Sequence, residues 1–215
     1  MQSCPGFASY DNLSSGEVLV NGALPLFQED LRVAPLLEAW QKYGAALSSA
    51  SKQYDIPLPW LVGIMMAESK GNQRACSPCS ICASSLCETA GGLSCCAFGL
   101  MQMIGPTARN FGTTPAEILE NPLAAIEAAC ELILVLEDKY GHDLPRIAAA
   151  YNGGVKGCGK AGTTFGWQTN GDYPMTVVQY ANTFVALGLQ PVKGNGLAWG
   201  FAIAGLVAAA VVYRS

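Results

Sequence analysis

Charge is scarce in this chain. Asp, Glu, Lys and Arg make up 13% of it against 51% hydrophobic residues, an apolar balance for a domain bathed in water. The formal net charge is −4 and the sequence pI about 5.0. No stretch interleaves Lys or Arg with aromatics, which argues against nucleic acid as a partner. There is a single histidine, His142. It follows Gly141, a helix-ending glycine, and is expected at the surface, so neither a histidine-based zinc site nor a Ser-His triad is a plausible reading. The first residues, MQSCPGFASYDNLSSGE, have neither a positive n-region nor an apolar h-region and do not read as a secretory signal. Cys4 follows no hydrophobic stretch, so it makes a poor lipoprotein cysteine. Strand-like alternation and internal repeats are also missing.

What remains is helical patterning, and 215 residues suffice for one ordinary core with tails. Residues 1–29 are rich in Gly, Ser, Asn and Pro and read as an irregular arm. From Asp30 to Tyr54 the apolar positions Leu31, Ala34, Leu37, Trp40, Leu47 and Tyr54 suggest one or two helices, with Pro35 near the first turn. Asp55-Ile-Pro-Leu-Pro breaks that pattern. The next helix, Trp60 to about Ser69, is apolar on nearly every face (Leu61, Val62, Ile64, Met65, Met66), as only a buried helix is. Its first charged residue is Glu68. Taken alone, Glu68 could simply begin a solvated loop, since Glu is mostly exposed.

Thr114-Pro115-Ala116-Glu117 reads as a capping box with Pro at the first helical position. Asn121-Pro122 caps a further helix that runs to Tyr140, with Leu123, Ile126, Cys130, Ile133 and Leu134 on one face and Gly141 as its stop. Another helix covers roughly Leu144–Tyr151, followed by a Gly-rich loop through Gly171. Pro174–Leu187 reads as the last helix of a domain spanning 30–190. Gly196–Tyr213 carries no charge over eighteen positions. As a helix rising about 1.5 Å per residue it would span roughly 27 Å, enough for a bilayer core. Trp199 and Tyr213 near its ends suit the membrane interface. Residues 196–213 are therefore expected to form a transmembrane helix, the alternative being an ordinary buried C-terminal helix.

The motifs gain meaning from their order. Glu68-Ser69-x-x-Asn72-x-x-Ala75-x-Ser77 is followed by Gly99-Leu100-Met101-Gln102, then Pro106-Thr107-Ala108, Asn121-Pro122 and Ala149-Ala150-Tyr151-Asn152-Gly153-Gly154. Over about residues 55–187 this series resembles the lytic transglycosylases of the soluble type, relatives of goose-type lysozyme. The resemblance implies a mainly α, lysozyme-like fold with a glycan in a cleft and no cofactor. It also implies peptidoglycan glycan strands as the partner, Glu68 as catalytic acid, and Ser69 in support of its position. Met101, Gln102, Tyr151, Asn152 and a helical tyrosine matching Tyr180 would contact the sugar. Read alone, Met101 could be core packing and Tyr151-Asn152 a plain helix end. The family usually shows a Glu-Thr pair before that helical tyrosine; here Thr176-Val177 stands there, so the usual Glu is missing.

A proton donor to a glycosidic oxygen must keep its proton near neutral pH, and a Glu at the end of an apolar helix loses the solvation its carboxylate needs. Ordinary glycosidases use two carboxylates. The matched blocks contain one, which fits a transglycosylase whose nucleophile is the muramyl 6-hydroxyl of the substrate. A goose-type muramidase would share every residue named. A non-catalytic module that binds glycan or shapes a membrane complex is the reading from another class. A membrane tail without a secretory signal suggests delivery by a bacteriophage particle during host entry, in company with other virion proteins, with a bacterial envelope protein as the competing expectation.

The chain departs from the family between Glu68 and Gly99, where residues 71–98 form a Gly/Ser/Cys-rich insertion. Of nine cysteines, six fall here. Cys76, Cys79, Cys82 and Cys87 have a spacing that could ligate zinc or an iron–sulfur cluster. The six could instead form disulfides stapling an otherwise structureless loop beside the cleft, the reading favoured where the substrate lies outside the cytoplasm. Cys130, on an apolar helix face, is expected to be a buried thiol, while Cys158 could be a partner or free.

Overall fold

The computed structural model describes residues 33–78, 84–153 and 173–189. The 1–29 arm, the Gly-rich loop from Gly154 to Gly171, the tail at 196–213 and Cys4, Cys79, Cys82 and Cys158 lie outside them. Within the described residues no helix is long and apolar enough to cross a membrane.

Among the described residues seven α-helices carry the architecture: α1 (Val33–Tyr54), α2 (Leu58–Ser69), α3 (Gly105–Asn110), α4 (Pro115–Glu120), α5 (Pro122–Tyr140), α6 (Leu144–Gly153) and α7 (Tyr173–Ala186). α2 is the core of the assembly. Leu61, Val62, Ile64, Met65 and Met66 have essentially no exposure although they point in every direction around the axis, because α1 covers one side and α7 another. The approach of α7 is close. A Cβ on Gly63 would stand 2.6 Å from the Val177 carbonyl oxygen, so only glycine allows this crossing.

α1 is one unbroken helix, with Pro35 in its first turn where no hydrogen bond is lost. Its buried stripe is Leu36, Ala39, Trp40, Tyr43, Leu47 and Ala50, at helical three- and four-residue steps. The expected stripe through Ala34 and Leu37 is therefore turned by about one position. Trp40 meets Phe184 of α7 edge-on, with ring centres 4.9 Å apart.

Several boundaries follow local chemistry read from the sequence. The Thr114 hydroxyl accepts from the Glu117 amide at 3.2 Å, but the Glu117 carboxylate turns to the Thr113 hydroxyl at 3.0 Å, so the capping box closes on one side only. The Asn121 side chain accepts from the Leu123 amide at 3.0 Å, and Gly141 (φ 77°) ends α5. α5 buries Ile126, Cys130 and Ile133 as expected. Leu123 and Leu134 instead remain 38% and 39% exposed, one at the first turn beyond the core and the other a residue off the Ile133 line.

The insertion corrects the expectation that no strands occur. β1 (Cys76–Pro78), β2 (Glu88–Ala90), β3 (Leu93–Phe98) and β4 (Met103–Ile104) form an antiparallel sheet in which β1, β2 and β4 all pair with β3. Alternation is missing because β3 is covered on both faces: Cys95, Cys96, Ala97 and Phe98 are all buried, and a strand buried on both faces shows no period of two. Cross-links take the place of side-chain pattern. Cys76 is disulfide-bonded to Cys95, with Cα atoms 5.5 Å apart. Cys87 and Cys96 are also in disulfides, though not with each other, since their sulfurs are 4.0 Å apart. Cys76 and Cys87 thus have no thiolate to offer a metal, which removes two of the four ligands of the cluster reading; Cys79 and Cys82 lie outside the described residues. The sheet is tied to the helices by the Arg109 guanidinium of α3, which grips both oxygens of Glu88 at 2.7 and 2.5 Å.

Candidate active site

Glu68 is the penultimate residue of α2. Beyond it the chain leaves the helix in a left-handed step: Lys70 has φ 53° and donates its amide to the Met66 carbonyl. The Ser69 hydroxyl donates to the Met65 carbonyl at 3.2 Å and accepts from the Gly71 amide at 3.2 Å. Ser69 thereby fixes the turn at which Glu68 sits.

The Glu68 residue keeps part of its surface open to solvent, yet the protein around its carboxyl is dense. Burial pushes its pKa up to about 7, opposed by a hydrogen bond from Tyr173. Partial exposure and a crowded carboxyl are compatible, because the exposure is that of the whole residue and the desolvation that of its carboxyl end. The Tyr173 hydroxyl donates to Glu68 Oε1 at 2.5 Å. Geometry explains the meeting. From the contact of Gly63 with Val177, Glu68 lies five residues toward the end of α2 and Tyr173 four toward the start of α7. Those are axial steps of roughly 7 and 6 Å, so helices running in opposed directions bring the two together.

Tyr151, near the end of α6, belongs to the same cluster. Burial and then the Glu68 charge raise its pKa well above the ordinary phenol value; the same two causes, in the same order, raise that of Tyr173. Both phenols are therefore protonated wherever Glu68 titrates. The Tyr151 hydroxyl donates to the Met101 carbonyl oxygen at 2.8 Å and lies 3.3 Å from Met103 Sδ. To donate to a sugar it must first leave Met101.

The turn between β3 and β4 holds the other expected site residues. Gly99 has φ 74°, and a Cβ there would lie 2.5 Å from Ile118 Cγ2, so the turn requires glycine on both counts. Met101 is fully buried. Its side chain packs the core and only its carbonyl reaches the site, in place of the cleft-lining contact expected. Gln102 is partly exposed with φ 47°, its Oε1 accepting from the Ser77 hydroxyl at 2.6 Å and its Nε2 donating to the Gly99 carbonyl at 2.9 Å. Asn152 is exposed beside Tyr151. Tyr180, two turns further along α7 than Tyr173, is 5% exposed and belongs to the core.

Glu68, Tyr151 and Tyr173 are thus brought together, with the Met101 carbonyl joined through Tyr151. Sequence reasoning missed Tyr173. Its partner lies 105 residues away, and a tyrosine before a helical proline carries no local signal of such a contact. His142 is 40% exposed and stacks against Trp60 with ring centres 4.3 Å apart. Cys130 is the buried free thiol expected, its pKa pushed up to about 12 by burial and then by Glu127 and Glu131. Among the described residues no group of His, Cys, Asp and Glu could hold a metal.

The described residues thus form a mainly helical domain with one desolvated carboxylic acid at the end of a buried helix. The sequence profile of the transglycosylase SLT domain matches residues 46–173, a span that begins in α1 and ends at Tyr173, and the chain belongs to that family. It is also 29% identical over 167 residues to a protein of Enterobacteria phage PRD1 named "Transglycosylase". That alignment covers 74% of this chain and 52% of the phage protein, so the chain spans about half the length of the curated relative it matches.

Proposed function

We propose that this chain is a peptidoglycan lytic transglycosylase that cleaves the β-1,4 bond between N-acetylmuramic acid and N-acetylglucosamine and leaves a 1,6-anhydro muramyl end. The observation that carries the reading is Glu68 itself, a carboxyl at the end of an apolar helix with its pKa near 7. At neutral pH a comparable share of molecules holds and lacks the proton, which suits a group that must give a proton and take one back. The matched sequence blocks carry one carboxylate, Glu68, which favours a nucleophile supplied by the substrate over a second acid of the protein.

In the first step Glu68 protonates the glycosidic oxygen as its bond to muramyl C1 breaks, releasing the glucosamine side as an alcohol. The Glu68 carboxylate then takes the proton of the muramyl 6-hydroxyl as O6 bonds to C1. The ring closes, Glu68 is again protonated, and no water is consumed. Tyr173 stabilises the carboxylate through Oε1 in the interval, leaving Oε2 to exchange the proton with substrate. Ser69 holds the turn, while Gln102 and Asn152 present polar groups to the glycan.

Mass analysis of fragments released from purified peptidoglycan tests this. Anhydro ends, one water lighter than hydrolysis products, are expected; hydrated muramyl ends would make the chain a muramidase. Unchanged activity in Glu68→Gln would take the catalytic role from Glu68, and a wild-type chain that binds glycan without cleaving it would be a glycan-binding module. The phage origin of the relative supports a further reading, that the enzyme travels in a virion and opens the host wall, anchored in a membrane by residues 196–213. Detection of the chain in purified virions is the expected result, and its absence there rules that role out.

A further inference from the structure

The cysteine-rich insertion ends against Gln102. β1 is three residues long and, among the described residues, pairs only with β3, with a register irregularity between Ser77 and Pro78. So short an edge strand has little ladder to hold it. It is fixed instead by the disulfide from Cys76 to Cys95 of β3 and, one residue earlier, by the Gly99 amide, which donates to the Ala75 carbonyl at 2.8 Å. The next residue after Cys76 is Ser77, whose hydroxyl donates to Gln102 Oε1 at 2.6 Å. The other end of that carboxamide donates to the Gly99 carbonyl. Gln102 also has a left-handed backbone, φ 47°, which a side-chain-bearing residue adopts only when its surroundings impose it. The direction of the Gln102 side chain is therefore set from two sides, and one of those sides hangs on the disulfide.

We propose that the Cys76–Cys95 disulfide is a redox-sensitive positioning device for Gln102, assembling the glycan-binding turn under oxidising conditions and loosening it under reducing ones. This rests on the reading of Gln102 as a glycan contact. Reduction by a dithiol transfers two electrons and two protons to the bridge, giving two thiols on the protein and a cyclic disulfide on the reductant. The closure across 19 residues is then lost, the freedom of β1 rises, and Ser77 no longer stays within reach of the carboxamide. Ser77 is a positioning residue, acting through Gln102. Glu68 stands on α2 and takes its hydrogen bond from Tyr173 of α7, two elements the disulfide does not touch, so its proton affinity is expected to hold. A wall-cleaving enzyme made in a reducing cytoplasm would thus bind glycan poorly where it is made and well where thiols are oxidised.

The test uses the full chain, because Cys87 and Cys96 are also disulfide-bonded and a general reductant would not isolate this bridge. In the Cys76→Ser/Cys95→Ser variant KM for peptidoglycan is expected to rise roughly tenfold, the effect of about one hydrogen bond, with kcat and the pH profile unchanged. Ser77→Ala should raise KM similarly, and the triple variant should add nothing further, since both changes act on one contact. Unaltered KM in the folded double variant, or additive effects of the two changes, would overturn the proposal. The Gln102 side-chain NH₂ resonance reports the same coupling without activity. It should shift and broaden in the double variant, and an unmoved resonance sinks the inference even if the transglycosylase reading fails on its own terms. If the serine pair does not fold, Cys76→Ala/Cys95→Val, suited to the buried Cys95 site, takes its place with the same outcomes.

Discussion

Replacing Glu68 by Gln should make the protein more stable, and by an amount that depends on pH in a defined way. The folded-state pKa of Glu68 is about 7 against an ordinary value of 4.5. The carboxyl is therefore protonated in the folded chain and ionised in the unfolded chain between those two values, and stability falls as pH rises through that window. A difference of about 2.5 units at about 1.36 kcal/mol each gives a penalty of roughly 3 kcal/mol above pH 7. Gln is uncharged, keeps the shape, and still offers an oxygen to Tyr173, so it removes the penalty without opening a cavity. Urea denaturation of both proteins from pH 4 to pH 8.5 isolates the effect, because every other titrating group cancels in the difference. Equal stability is expected below pH 4.5, with the variant gaining progressively to roughly 3 kcal/mol above pH 7, or roughly 6–12 °C in Tm. A difference that stays flat with pH, or favours the wild type at high pH, refutes a desolvated carboxyl.

Three other perturbations probe the site from different sides. Tyr173→Phe removes the hydrogen bond that lowers the Glu68 pKa. The alkaline limb of the kcat/KM profile should move to higher pH while the maximal rate falls, and an unmoved limb would detach Tyr173 from the acid. Gly63→Ala places a Cβ 2.6 Å from the Val177 carbonyl and should cost about 1–3 kcal/mol in denaturant melts. Activity should drop further than that loss explains, because Tyr173 is levered off Glu68; full activity at reduced stability would contradict the helix-crossing argument. Met101→Ala should cost about 2–5 kcal/mol, as expected for a fully buried methionine. A loss of substrate affinity with stability intact would instead restore Met101 to the cleft.

What the sequence disclosed and what it hid divide along physical lines. Thr114, Asn121 and Gly141 act on backbone groups within a few residues, so their caps were legible. The all-round apolarity of α2 was too, and with it the burial that tunes Glu68. The sheet was not, because β3 is enclosed on both faces and its partners are two or three residues long. Strands held by disulfides and by the Glu88–Arg109 pair need no alternating pattern. The stripe on α1 and the edge of that on α5 were off by a residue, since only the packed neighbours decide which flank of a helical face is covered. Tyr173 was beyond reach, because a contact made by two helices crossing at Gly63 leaves no trace in either segment alone. The burial of Met101 and the capture of Tyr151 by its carbonyl likewise depend on the fold of the β3–β4 turn.

The proposed chemistry requires one carboxyl that holds its proton to neutrality, and that can be observed atom by atom. Carbon-13 NMR of the Glu68 side-chain carboxyl, assigned by its disappearance in Glu68→Gln, gives its titration midpoint in the folded protein. A midpoint close to 7, moving upward in Tyr173→Phe, is the predicted result. A midpoint in the ordinary glutamate range near 4.5 would contradict the account.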